Sequence, residues 1–234
     1  MKNILKTNAL KGVLLVGMLF ASAAFCEVSY GSLTDTRDGK SYKTVRIGTQ
    51  TWMAENLNYA YSEGTARSYC YDNDPANCEK YGRLYTWAAA MDSATVFGEG
   101  GKGCGTDAEC TPAYHARGVC PEGWHLPSDA EWMTLERFVA NSLFGGKKDS
   151  VGYALKSTSG WKKEYGRSWN GSDAFGFGAL PTTGDGYGNS EFWSATAYGI
   201  FTVFWSLAYE GTDLDEYITE SRYYGKSVRC VKDH

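Results

Sequence analysis

Cys120-Pro121-Glu122-Gly123-Trp124-His125-Leu126-Pro127-Ser128-Asp129-Ala130-Glu131-Trp132 is the stretch that decides the fold. A cysteine, a turn and a helix start follow one another within it. Ser128 and Glu131 have the spacing of a capping box, in which the hydroxyl takes an orphan helix N–H and the carboxylate reaches back to the serine N–H. Asp129 adds negative charge in the first turn, where the helix dipole favours it. Trp132, Leu135, Val139 and Leu143 then recur at helical spacing, with Met133 and Phe138 beside the stripe. The pattern predicts a helix over 129–143 that packs on a sheet, with Cys120 tying its entry to something distant.

Outward from that stretch, the first residues read as a targeting signal. Lys2, Lys6 and Lys11 are the positive region, 13–20 is apolar, and Ala21-Ser22-Ala23-Ala24 supplies small residues for cleavage. The apolar run is shorter than the roughly 20 residues of a membrane span, and no later stretch is apolar enough for one. A signal peptide over 1–26 predicts a secreted protein, extracellular or on the outer cell surface. Cys26 raises the alternative of a lipid anchor, which Phe25 disfavours because a lipid-modified cysteine usually follows a small residue.

Cys70, Cys78, Cys104, Cys110, Cys120 and Cys230 remain, and an even set in an exported chain reads as a disulfide framework. Cys70 with Cys78 and Cys104 with Cys110 each bracket a polar loop. Residues 27–234 suit one domain, with a glycine-rich loop insertion at about 92–119. That length buries a sizeable core, so bridges supplement it. The net charge is −4, and removing the three lysines of 1–26 takes it to about −7. Nucleic acid is excluded as a partner, because it needs a basic footprint.

Asp38-Gly39 suits a type I′ turn. Residues 42–47 alternate like a half-buried strand, and Gly48-Thr49 turns them into a second strand over 50–53. Residues 62–80 read as a loop and 81–91 as a helix with Leu84, Trp87, Ala88 and Met91 on one face. Residues 151–156 suggest a short helix. Strands are predicted over 175–181, 191–196, 202–209 and 226–232, with loops at 182–190 and 210–225. The sum is an α+β domain: a twisted, mainly antiparallel sheet with two principal helices, stapled by disulfides.

Six ordered stretches carry a resemblance. They are 45–59 (Val-Arg-Ile-Gly-Thr-Gln-Thr-Trp-Met-Ala-Glu-Asn-Leu-Asn-Tyr), Tyr81-Gly82-Arg83-Leu84-Tyr85-Thr86-Trp87, Cys120 to Pro127, Phe175-Gly176-Phe177, Phe192-Trp193-Ser194 and Ser227-Val228-Arg229-Cys230-Val231. Together they resemble the Fibrobacter succinogenes major paralogous domain family. The resemblance implies a variant of the C-type lectin-like fold, related to formylglycine-generating-type domains. It implies a long bridge from the helix entry to the final strand, here Cys120–Cys230. The family's members are secreted or surface proteins of polysaccharide-degrading bacteria and carry no settled activity. Analogy of fold assigns no function.

No catalytic group stands out. His125 and Ser128 are three apart, but Ser128 is needed as a cap and no Gly-x-Ser-x-Gly elbow is present. A formylglycine-type pair of cysteines is missing, since only Cys230 follows Cys120. Three histidines in the whole chain argue against a histidine-rich metal site, and no cofactor is predicted. Asp213, Asp215 and Glu216 could offer oxygen ligands to a hard cation, though a solvated acidic loop explains them as well. Tyrosine faces can stack on sugar C–H surfaces. The expected ligand-binding set is therefore Asp185, Tyr187, Tyr209, Asp213, Asp215, Tyr223 and Tyr224, converging from the loops 182–190 and 210–225. The function expected is a non-catalytic binding module for polysaccharide or a cell-surface glycan. The alternatives are an envelope structural or protein-interaction component and, third, an unrecognised enzyme.

Overall fold

The computed structural model describes residues 28–105, 108–164, 166–182 and 188–234. The signal-like 1–26, with Cys26, lies outside the described residues, as do Asp185 and Tyr187.

In chain order the strands are β1 (Tyr30–Thr34), β2 (Ser41–Ile47), β3 (Gln50–Met53), β4 (Ser62–Glu63), β5 (Ala66–Tyr69), β6 (Leu84–Tyr85), β7 (Trp124–His125), β8 (Lys163–Glu164), β9 (Arg167–Ser168), β10 (Ser190–Tyr198), β11 (Phe201–Leu207), β12 (Asp215–Thr219) and β13 (Val231–Lys232). The helices are α1 (Pro75–Tyr81), α2 (Trp87–Ala90), α3 (Asp129–Phe144) and α4 (Val151–Leu155). One antiparallel sheet has the order β1-β2-β3-β13-β7 and a second the order β10-β11-β12. Smaller sheets join β4-β5-β6 and β8-β9.

Successive strand residues point to opposite faces, and here both faces are covered. Tyr42, Met53 and Trp193 enter a core around α2, while Val45, Ile47, Trp52, Phe192 and Trp205 enter a second core against α3 and α4. The chain is thus a mixed α/β protein with antiparallel sheets, few helices and three disulfides.

The helix read from the opening stretch is α3. Glu131 Oε2 accepts from the Ser128 N–H at 2.8 Å and from its hydroxyl at 2.7 Å, closing the capping box. Gly145 ends the helix at φ 59°, left-handed backbone that glycine adopts without strain. Leu143, expected on the buried stripe, is exposed. Glu136 is buried instead and paired with Lys148 at 2.5 Å. Among the described residues only α3 is long, so the expectation of two principal helices reduces to one.

Other elements differ from expectation for local reasons. The β1–β2 connection spans 35–40 and only Gly39 has positive φ, so it is not a two-residue I′ turn. Asp35 organises it, accepting from Arg37 Nε and a terminal guanidinium nitrogen at 2.8 and 2.7 Å. Residues 62–80 contain β4, β5 and α1. The predicted helix over 81–91 shrinks to α2, because Leu84-Tyr85 pairs with β5 and with Lys226. Residues 175–181 form no strand. Gly176 and Gly178 have φ of 69° and 60°, which breaks an extended run. The 92–119 segment is irregular but not a surface appendage, for Asp92, Cys104, Ala116 and Val119 are buried. Asp92 accepts from the N–H groups of Val96, Phe97 and Gly98 and from the Tyr61 hydroxyl, which holds the segment down. The predicted loop 210–225 carries β12 in its middle.

The three bridges are Cys70–Cys78, Cys104–Cys110 and Cys120–Cys230, with Cα–Cα separations of 5.0, 5.1 and 5.9 Å. The six stretches behind the resemblance interlock. Arg229 donates to Asn56 Oδ1 at 2.8 Å and to the carbonyls of Phe177 and Gly178, with its guanidinium over the Phe177 ring. Trp193 Nε1 donates to Tyr85 O at 2.7 Å, and Trp87 Nε1 to Ser194 O at 3.1 Å. Gly82 sits at φ 76° where a Cβ would lie 2.9 Å from two carbonyl oxygens, so only glycine fits this crossing. These stretches are scaffold.

Candidate functional site

The described members of the expected site divide between two places. Tyr209 is half-buried against the second core, with Lys162 Nζ 4.8 Å from its ring centre and its N–H on Asn189 Oδ1 at 2.9 Å. Lys156 Nζ gathers this end of the sheet by donating to the carbonyls of Ala208 and Gly211 at 2.6 Å and of Tyr209 at 3.2 Å. Burial pulls the Lys156 pKa down to about 8, against the nearby Asp213 charge. Asp213 and Asp215 belong to the same end, since Asp215 pairs with Ser206. Asp215 and Glu216 are successive strand residues and face opposite sides, so they do not converge on one cation.

Tyr223 and Tyr224 lie elsewhere. The chain leaves β12 from the opposite end, where Thr219 pairs with Thr202. It then runs back past Gly199, whose carbonyl accepts from Arg222 at 2.9 Å. Tyr223 and Tyr224 are 60 % and 72 % exposed and form one wall of a groove of about 830 Å³. The other wall is Arg67 and Tyr69 of β5 with Tyr71, Asp72 and Asn73.

Local structure explains the groove. The Cys70–Cys78 bridge holds the second wall between β5 and α1. Asp72 and Asn73 adopt φ of 53° and 55°, a left-handed turn that their short polar side chains tolerate. The Tyr69 hydroxyl accepts the Gly225 N–H at 2.7 Å and so ties the two walls together. Glycine lets the two segments approach here, since a Cβ at 225 would lie 2.6 Å from that hydroxyl and 2.8 Å from Leu84 Cβ. At the base Lys226 Nζ meets Glu191 Oε2 at 2.5 Å. The groove combines four tyrosine rings with two carboxylates (Asp72 and Glu191), the Lys226 ammonium, the Arg67 guanidinium and the Asn73 amide.

Of the expected set, Tyr223 and Tyr224 line this groove, together with Tyr69 and Tyr71, which the sequence reading did not single out. The available signal was Tyr69-Cys70-Tyr71, two rings either side of a cysteine whose partner lies close by. A second depression of about 800 Å³ has charged groups on its rim, two of which are engaged locally. Lys40 Nζ donates to Asn58 O at 2.8 Å, and Glu55 accepts the Lys43 N–H at 2.6 Å.

The opening stretch holds one further cluster. His125 is buried in β7, its Nδ1 2.6 Å from Asp233 Oδ1 and its Nε2 2.7 Å from Glu131 Oε1. His115 Nδ1 approaches the same Nε2 at 3.2 Å. Burial works against the imidazolium, but hydrogen bonds and charge from Glu131 and Asp233 outweigh it and raise the His125 pKa. Burial would raise Glu131, yet bonds from His125 and Ser128 hold it at about 2. The Ser128 hydroxyl goes to Glu131 and not to His125, so no serine–histidine pair forms.

Among the described residues no helix is long and apolar enough to cross a membrane. The family model of the Fibrobacter succinogenes major domain matches residues 45–232. No curated protein and no solved structure matches this chain.

Proposed function

We propose that this chain, which belongs to the Fibrobacter succinogenes major domain family, is an exported, non-catalytic binding module that holds polysaccharide in the tyrosine groove. The observation that carries the reading is the pair of exposed rings, Tyr223 and Tyr224, lining one groove with Tyr69, Tyr71 and several polar groups. Flat apolar rings suit the C–H faces of sugars, and Arg67, Asp72, Asn73 and Glu191 suit their hydroxyls. The walls are fixed in advance by a disulfide and the Tyr69–Gly225 hydrogen bond, which lowers the ordering cost of binding. Disulfides in such number suit an oxidising compartment, which supports export and display at the cell surface. A lectin-like relation of fold belongs to the same proposal, its support being the bridge from the α3 entry to the last strand.

Retention on insoluble cellulose, xylan and mixed-linkage glucan, with soluble oligosaccharides as competitors, tests the reading. Retention of the native protein on one or more polymers, weakened at least tenfold in Tyr224→Ala, is the expected result. Retention that is equal in Tyr224→Ala and Tyr71→Ala moves the site away from this groove. A protein captured by no glycan but by an envelope protein would favour the protein-interaction role instead.

A further inference from the structure

His115, His125 and Glu131 bring three potential ligand atoms together. His115 Nδ1 is 3.2 Å from His125 Nε2, His125 Nε2 is 2.7 Å from Glu131 Oε1, and His115 Nδ1 is 3.9 Å from Glu131 Oε1. Those edges bracket the roughly 3.3 Å edge of a tetrahedron with bonds of about 2.0 Å, the geometry of zinc with nitrogen and oxygen ligands.

Neighbours orient the donors. Asp233 Oδ1 engages His125 Nδ1, which leaves Nε2 as the ligating nitrogen, the same carboxylate–histidine support found behind metal-bound imidazoles. Ser128 occupies Glu131 Oε2 through both its N–H and its hydroxyl, so Oε1 is the oxygen turned to the histidines. His115 has φ 56°, a left-handed backbone that is uncommon for a residue with a side chain, and its ring lies edge-on to His125 at 4.5 Å. His125 is buried and His115 is about one-third exposed, so the cluster opens to solvent on the His115 side.

We propose that His115, His125 and Glu131 bind one divalent transition-metal ion of the zinc type, with the fourth position open to water or a small ligand. Two imidazole nitrogens and one carboxylate oxygen favour zinc over calcium, which takes six to eight oxygens. The ion joins segment 92–119, through His115, to β7 and the first turn of α3. It stands apart from the tyrosine groove and does not depend on the glycan reading.

The test uses full-length mature protein without a histidine tag, stripped with a chelator and titrated with zinc chloride at neutral pH against a chromophoric zinc indicator. One zinc per chain, with micromolar or tighter affinity and no comparable calcium uptake, is the expected result. His115→Asn keeps a side chain tolerant of positive φ and leaves the α3 cap intact. It should weaken zinc binding at least 100-fold with an unchanged circular dichroism spectrum. Asp233→Ala should weaken binding about 10–100-fold at unchanged stoichiometry. His234→Ala should leave it unchanged. Absence of saturable zinc binding, or equal binding in His115→Asn, would overturn the proposal.

Discussion

Trp193 and Tyr224 are large rings on either side of Lys226, and the molecule uses them in opposite ways. Trp193 is fully buried, its N–H spent on Tyr85 O and its ring 5.2 Å from Lys226 Nζ. Tyr224 stands in solvent on the groove wall, two residues before that lysine. The same division recurs across the chain. Trp87, Trp161 and Trp205 direct their indole N–H groups at Ser194 O, Ala179 O and Asp129 Oδ1. Trp52, Trp132, Phe177 and Phe192 pack ring on ring in the second core. A ring enclosed by the core is scaffold, whether its N–H is bonded, as in Trp193, or faces only other rings, as in Trp132. A ring held at the surface by its neighbours' backbone is available to a ligand.

The long bridge fastens the scaffold most strongly. Cys120→Ala with Cys230→Ala should cost about 5 kcal/mol in the chain-entropy model, against about 2.5 kcal/mol for the Cys70–Cys78 pair. Denaturant midpoints of the two double variants would show the difference, and equal losses would contradict the scaffold role of the long bridge. Next comes Trp193→Ala, expected to cost about 4 kcal/mol by cavity formation and the orphaned Tyr85 carbonyl. Trp193→Phe, which keeps the ring and loses the N–H, should cost about 1–2 kcal/mol.

Asp35 comes third. Burial pushes its carboxyl up, but the hydrogen bonds and charge of Arg37, with Arg117 beyond, outweigh this and lower its pKa. A depressed carboxylate stabilises above its unfolded value and loses that contribution as pH falls through the folded one. Asp35→Asn should cost about 2 kcal/mol at neutral pH by removing the buried charge that the partly buried Arg37 guanidinium pairs with, while its bond to Val119 O remains. It should also flatten the fall in melting temperature below about pH 4. Tyr224→Ala is the smallest effect on stability, within about 0.5 kcal/mol, as expected of a surface change.

How much of this was written in the sequence depends on the range of the signal. The α3 cap is local, and Ser128 with Glu131 announced it. Strand β2 was legible from its alternation, and β10 and β11 from short aromatic and β-branched runs bounded by turns, which are buried on both faces. Residues 175–181 were misread because alternating glycine resembles a strand until the sign of φ is known. The loop 210–225 hid β12, since Asp215–Thr219 is largely exposed and lacks an apolar face. Of the groove lining, only Tyr223 and Tyr224 were legible in the sequence. Their partners Tyr69 and Tyr71 are about 150 residues away in sequence, and a disulfide-bound turn brings them across. The histidine cluster was hidden by a count: three histidines are few, yet two of them meet at Glu131.

The central claim is that scaffold and site are separable sets of aromatic residues. Its most direct test is Tyr223→Ala with Tyr224→Ala, with melting temperature and polysaccharide retention measured on the same sample. A melting temperature within about 2 °C of the native protein together with lost retention is the result this account predicts. A protein that melts far earlier, or that still binds its polymer as tightly, would contradict it.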